Sequence, residues 1–133
     1  MNIGQNIELD TLVAERVLDL VPCDGWESIN LGSAGGPAMV KNCGQTHRCY
    51  PRGRPMAASS MIAPAWHVVS HLGDKGWEIT IRCFPGADVL YEARIDRHGG
   101  EVGDTFAARS GVAPMAICEA ALRACGYNEP LPR

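Results

Sequence analysis

Alternation is the strongest constraint in this chain. From residue 77 onward Trp77, Ile79, Ile81 and Cys83 take every second position, with Glu78, Thr80 and Arg82 between them. Only an extended strand with one buried face turns that pattern into a continuous apolar stripe. PGAD at residues 85–88 supplies a turn, and residues 89–95 read as a second strand, so the two pair as an antiparallel hairpin. RHGGE at residues 97–101 is a further turn, and residues 104–109 give a third strand. A three-stranded meander results, and its apolar face needs a cover.

Three helical patterns can supply that cover. In residues 8–21 the apolar positions Leu9, Leu12, Val13, Val17, Leu20 and Val21 recur at helical spacing, while Glu8, Asp10, Glu15, Arg16 and Asp19 fall mostly off the stripe. Pro22 stops this helix and Asp24 with Gly25 turns the chain. Ser59 and Ser60 are placed to cap a second helix reaching about residue 72, with Ile62, Trp66, Val69 and Leu72 on its apolar face. Pro64 is tolerated there because it falls in the first turn. Ser110 and Gly111 open a last helix carrying Met115, Ile117, Cys118, Ala121, Leu122 and Cys125, which Gly126 ends. Residues 127–133, with two prolines, form an extended tail. The fold class is therefore α+β: a small antiparallel sheet of three to four strands packed with three α-helices, sandwich-like in its α-β-α layering.

At 133 residues the chain has the length of one domain and not of two. A net charge of −3 with 46% hydrophobic residues is globular composition, and it lacks the electrostatic footprint of a protein that coats long nucleic acids. The first ten residues, MNIGQNIELD, lack the basic and apolar regions of a secretory signal, and no apolar run is long enough to cross a membrane. A cytoplasmic location is expected. In a reducing compartment the six cysteines default to free thiols and not to a disulfide framework.

Residues 30–55 are rich in glycine and proline, with short β-like pieces near residues 38–41 and 46–50 that could make one weak hairpin. Within this insertion CGQTHRCYPRGRP, residues 43–55, concentrates two cysteines, a histidine and three arginines. Cys43, His47 and Cys49 offer nitrogen and sulfur ligands, but their spacing does not match a structural zinc site, and a fourth ligand would have to come from Cys23, His67 or His71. The anion reading uses Arg48, Arg52 and Arg54 just ahead of Ser59 and Ser60, because a helix start presents unpaired N–H groups and the positive end of the macrodipole. Arginine adds a fork that matches phosphate oxygens, and Tyr50, Trp26 and Trp66 could stack on a base. Arg109 repeats the arrangement ahead of Ser110. The bland alternative is a solvated, solubilising loop. Arg82 and Arg94 are read as cross-strand partners of Glu78 and Glu92. His67 and His71, four apart on one helix, are read as an exposed polar face. LGSAGGP at residues 31–37 lacks the lysine of a P-loop, and no catalytic motif stands out, so no catalytic residue, metal or cofactor is assigned.

Three stretches, ELDTLVAERVLDL, SSMIAPAWHVVSHL and VAPMAICEAALRA, together with the order helix, loop, helix, meander, helix, resemble the phage ABA-sandwich domain family of small phage and prophage proteins. The run from Val112 to Cys118, leading into an alanine-rich final helix, is the most specific of these. The arginine-rich insertion departs from the family pattern. The resemblance implies a phage origin and the fold above, and names no reaction.

Taken with the arginines and the absence of a catalytic motif, it implies a non-enzymatic protein that sequesters a small anionic ligand, a cyclic nucleotide of bacterial immunity or another phosphate-bearing molecule. Arg48, Tyr50, Arg52, Arg54, Ser59, Ser60, Trp66, Arg109 and Ser110 would form the site. A homo-oligomer is expected because one chain's sheet is small. The alternative is a structural, morphogenesis or regulatory accessory that works through protein contacts, since arginine and aromatic residues serve both. A nuclease or phosphodiesterase would need a metal or general base that the sequence does not display.

Overall fold

The structure, a computed structural model, describes residues 6–23, 41–43, 47–53, 55–97 and 105–132. The chain is α+β. A first helix α1 (Ile7–Leu12) runs into a π-helical turn (Val13–Val17), followed by β1 (Val21–Cys23), β2 (Lys41–Cys43) and β3 (His47–Pro51). Then come α2 (Ile62–Asp74), β4 (Trp77–Phe84), β5 (Leu90–Arg97), β6 (Thr105–Ser110) and α3 (Ala113–Ala124).

The alternating segment forms the expected meander, ordered β4-β5-β6 and antiparallel throughout. Its register sets Ile79 opposite Ile95 and Ile95 opposite Phe106, so Trp77, Ile79, Ile81, Ala93, Ile95, Phe106 and Ala108 share one face. Ala93 and Ile95 on that face are fully buried, and α2 and α3 pack against these strands. The opposite face carries Glu78, Thr80, Arg82, Glu92, Arg94, Asp96, Thr105 and Arg109.

A second small sheet, ordered β1-β3-β2, joins β1 to β3 in parallel and β2 to β3 antiparallel. The β2-β3 pair is the weak hairpin anticipated in the arginine-rich insertion. Pro22 sits in β1, an edge strand, where its missing N–H breaks no central ladder.

The first helix is shorter than its apolar pattern. The α-helix ends at Leu12 and the π-helical turn that continues it at Val17, not at residue 21. Leu18 N–H donates to the Val13 carbonyl in the π pattern, Asp19 takes a left-handed φ of 55°, and Leu20 N–H folds back on the Ala14 carbonyl. Val21, which precedes proline, is disfavoured in the helical region and goes extended into β1. Leu18 and Leu20 remain buried although they lie beyond the helix.

Asp10 corrects the sequence reading. It is 1% exposed because it shares the helical stripe of Val13, Ala14 and Val17. Its Oδ1 accepts the Ser59 backbone N–H at 2.8 Å, so a buried carboxylate from α1 fixes the turn that leads into α2. Ser59 and Ser60 do not cap α2. They belong to a separate turn closed by the Met61 N–H donating to the Ala57 carbonyl, and Met61, extended at φ −124° and ψ 136°, is the residue that precedes the helix.

Helix α3 lies at the centre. Ala116, Ile117, Cys118, Ala120, Ala121 and Leu122 are all at most 1% exposed. The helix packs on β5 and β6, on α2, and on the π-helical turn. A helix buried around most of its circumference needs small side chains where its neighbours approach most closely, which accounts for the alanines. Gly126 ends it at φ 93°, and Arg123 ties down the tail by donating to the Tyr127 and Glu129 carbonyls, each at 2.8 Å. Among the described residues no helix is long and apolar enough to cross a membrane.

Ala121→Leu is expected to lower stability by about 1–3 kcal/mol through overpacking, read as a lower urea midpoint with the secondary structure retained in circular dichroism.

Candidate functional site

Local geometry around the described part of the insertion is set by the π-helical turn. It presents Glu15, whose Oε2 accepts a hydrogen bond from the Tyr50 hydroxyl. Tyr50 lies on β3 and is 2% exposed, so it fills the core. It is not an open stacking face. Arg52, two residues on and exposed, is near enough for its charge to act on the same phenol. Glu15, Tyr50 and Arg52 thus form one polar cluster at the end of β3. Burial, then the Glu15 hydrogen bond and charge, raise the Tyr50 pKa well above its usual value, with Arg52 opposing.

The remaining sequence-predicted residues fall on other elements. Ser59 is buried against Asp10, and Ser60 is exposed in the turn before α2. Trp66 is 54% exposed one turn into α2, and Ile62, one turn earlier on the same side of the helix, is 56% exposed, with Met61 beside them at 40%. This makes an open apolar stripe where a packed face was expected. Val68 and Leu72 bury the other side of the helix. Among the described residues no side chain caps the first amides of α2. Trp26, Arg54 and the side chain of Arg48 lie outside the described residues.

Arg109 and Ser110 stand at the end of β6. Ser110 Oγ accepts the Val112 N–H at 3.2 Å, and Arg109 Nε donates to Glu92 Oε2 at 2.8 Å. Arg94 pairs with Asp96, two residues along its own strand, at 3.2 Å. Glu92 therefore takes its ion-pair partner from β6, Arg109, and not from Arg82 or Arg94, the two arginines read as partners of Glu78 and Glu92. The cleft beside Ser110, Met115, Glu119 and Pro132 has a volume of about 50 Å³, room for one or two waters and far below the ~300 Å³ at which small-molecule pockets begin.

His67 and His71 are half-buried on α2, not openly exposed. Among the described residues no three histidine, cysteine or acidic side chains gather as a metal site. The backbones of Cys43 and His47 face each other across β2 and β3, but the side chains of Cys23, Cys43, His47 and Cys49 lie outside the described residues. Cys83, Cys118 and Cys125 are free thiols, and burial pushes the Cys118 thiol far up, out of nucleophilic reach.

Two groups escaped the sequence reading. Asp10 carried a usable signal, being in helical phase with Val13 and Val17. Glu15 carried none, because its meeting with Tyr50 depends on a π-helical turn that helical spacing does not reveal.

The combination of a three-stranded meander with α3 packed on one face and an alanine-rich final run defines a small α+β domain protein. The family model for the phage ABA sandwich domain matches residues 11–122, and the chain belongs to that family. It is a phage protein. No curated protein and no solved structure matched the chain.

Because the raised Tyr50 pKa favours the neutral phenol in the folded state, its contribution to stability is complete below the unfolded value of 10.0. It is lost as the pH climbs from there toward the folded value. Tyr50→Phe is expected to cost about 0.5–1.5 kcal/mol at neutral pH and to flatten the alkaline fall in the urea midpoint between neutral pH and about pH 11. An unchanged alkaline slope would show that this phenol is not the group responsible.

Proposed function

We propose that this phage protein works by binding and not by turnover. It captures a small phosphate-bearing ligand, a cyclic nucleotide of bacterial immunity, in the cytoplasm of the infected host, and depletes that messenger by mass action. The observation that carries this reading is the start of α2, where Pro64 has no N–H to offer but the Ile62 and Ala63 amides have no side-chain cap among the described residues, and Trp66 stands open one turn further on. Uncapped amides at the positive end of a 13-residue helix suit a phosphate, and an exposed indole suits a base. Arg52, exposed at the end of β3, adds a fork for phosphate oxygens, joined in this reading by Arg48 and Arg54. Glu15 beside Tyr50 would meet a hydroxyl or amino group of the ligand and not its phosphate.

A second reading is favoured by a different observation. Met61, Ile62 and Trp66 together expose apolar surface along one side of α2, and exposed patches of this kind mark contacts with other proteins, another copy of the chain included. In that case the protein is a structural or regulatory accessory.

A thermal-shift screen against cyclic di- and trinucleotides and cyclic ADP-ribose relatives, followed by heat release and chromatography of the bound compound, tests the first reading. A raised Tm with the nucleotide recovered intact supports capture, whereas recovered product reveals an enzyme. Silence across the panel leaves the accessory role. Trp66→Ala separates the two further, because truncating an exposed side chain leaves the core packing in place. Loss of nucleotide affinity by ~1–3 kcal/mol at unchanged sedimentation supports a stacked base. A changed oligomeric state with no effect on nucleotides supports a protein interface. Full affinity in Arg52→Ala would remove that arginine from the site.

A further inference from the structure

The open face of the meander carries a second arrangement of arginines, in which Arg109 is joined by Arg82 and not by the arginines of the insertion. Arg82, Glu92 and Arg109 form one row across β4, β5 and β6, since Arg82 is opposite Glu92 and Glu92 is opposite Arg109. Phe84, next along the same face of β4, has the Arg82 guanidinium 5.0 Å from its ring centre and the Arg109 guanidinium 4.9 Å from it. Both cations are therefore gathered on a single half-buried phenyl ring, at most the sum of those two distances apart.

Charge on this face is graded along the strands. Glu78 and Asp96 face each other at the far end, four residues and ~13 Å from Arg82. The row itself holds two guanidiniums and one carboxylate, and the carboxylate is the hidden member: the Glu92 side chain is 12% exposed, that of Arg109 58%. What reaches solvent there is positive.

A cation held over a ring is attracted through its charge and does not spend its N–H groups on the contact. Arg109 is constrained further, because Nε is held by Glu92 at 2.8 Å, which fixes the plane in which its terminal N–H groups point. Side-chain freedom that phosphate binding would otherwise remove has already been lost in the folded protein.

On this basis we infer that Arg82 and Arg109, held over Phe84, form an anion site that grips a phosphoryl group with two guanidinium forks. The ligand class is a phosphate ester or pyrophosphate. This site does not depend on the start of α2 or on Arg52.

The test is a titration of the full chain with pyrophosphate, followed through the arginine Nε–H and Phe84 ring resonances. Saturable shifts at Arg82, Arg109 and Phe84 are expected. Arg82→Gln should weaken the response about tenfold, as befits loss of one charge-assisted contact. Arg94→Gln removes the same charge from the same face and should change the affinity less than about twofold, since that arginine is committed to Asp96. Equal weakening by both variants, or shifts that chloride reproduces, would reduce the effect to general screening and overturn the inference. A nucleoside triphosphate and a short single-stranded oligonucleotide, titrated in parallel, tell a small ester from a nucleic-acid backbone. Saturation by either upholds the site, and saturation by none of the three phosphate compounds rejects it. In Arg52→Ala the pyrophosphate response should persist, so failure of the α2 reading and failure of this one register separately.

Discussion

Everything in the described fold is arranged around a helix with almost no outside. Because α3 meets β5 and β6 on one side and the π-helical turn and α2 elsewhere, each neighbour must come close, and alanine at 116, 120 and 121 lets it. Large residues there would hold the layers apart and cost dispersion contacts on every side. The meander supplies a flat, regular surface for that helix, and the first helix closes the other side. A buried Asp10 is tolerable in so tight a setting because it has the Ser59 amide to accept from. The same bond fixes where the chain turns before entering α2.

That arrangement decides which charged groups can act. Tyr50 is drawn into the core, and its hydroxyl is committed to Glu15, so the cluster at the end of β3 combines an arginine with a carboxylate. It is not a uniformly positive patch. Of the guanidiniums expected beside helix starts, Arg52 is exposed next to the Glu15–Tyr50 pair at the end of β3, and Arg109 is held by Glu92 on the sheet. Sheet geometry, which lines up residues on neighbouring strands at regular spacing, collects Arg82 and Arg109 on one phenyl ring.

Much of the meander was legible because a two-residue period bounded by PGAD and RHGGE admits few other structures. The last helix was legible for a related reason: an apolar run with glycine at its end leaves little choice. Elsewhere the local signals misled. Ser59 and Ser60 looked like caps, but tertiary contact with Asp10 claims the first of them and a separate turn takes both. The apolar residues Leu18 and Leu20 extended the helical pattern past its real end because they are buried for reasons of packing and not of periodicity. On α2 the periodic face and the buried face differ. Trp66 lies on the former, Val68 on the latter, and spacing alone cannot say which side of a short amphipathic helix meets the core. Partner choice among charged side chains was least visible, since Glu92 has an arginine on each side and only the coordinates show which one it binds.

The Asn6 amide donates to the Pro132 carbonyl at 2.9 Å, which brings residues 126 positions apart in the chain into direct contact. Topologically the described fold is thus nearly a ring. Joining those two points with a short linker and reopening the backbone at an exposed turn, such as that around Gly86, would yield a rewired protein in which every layer keeps its neighbours.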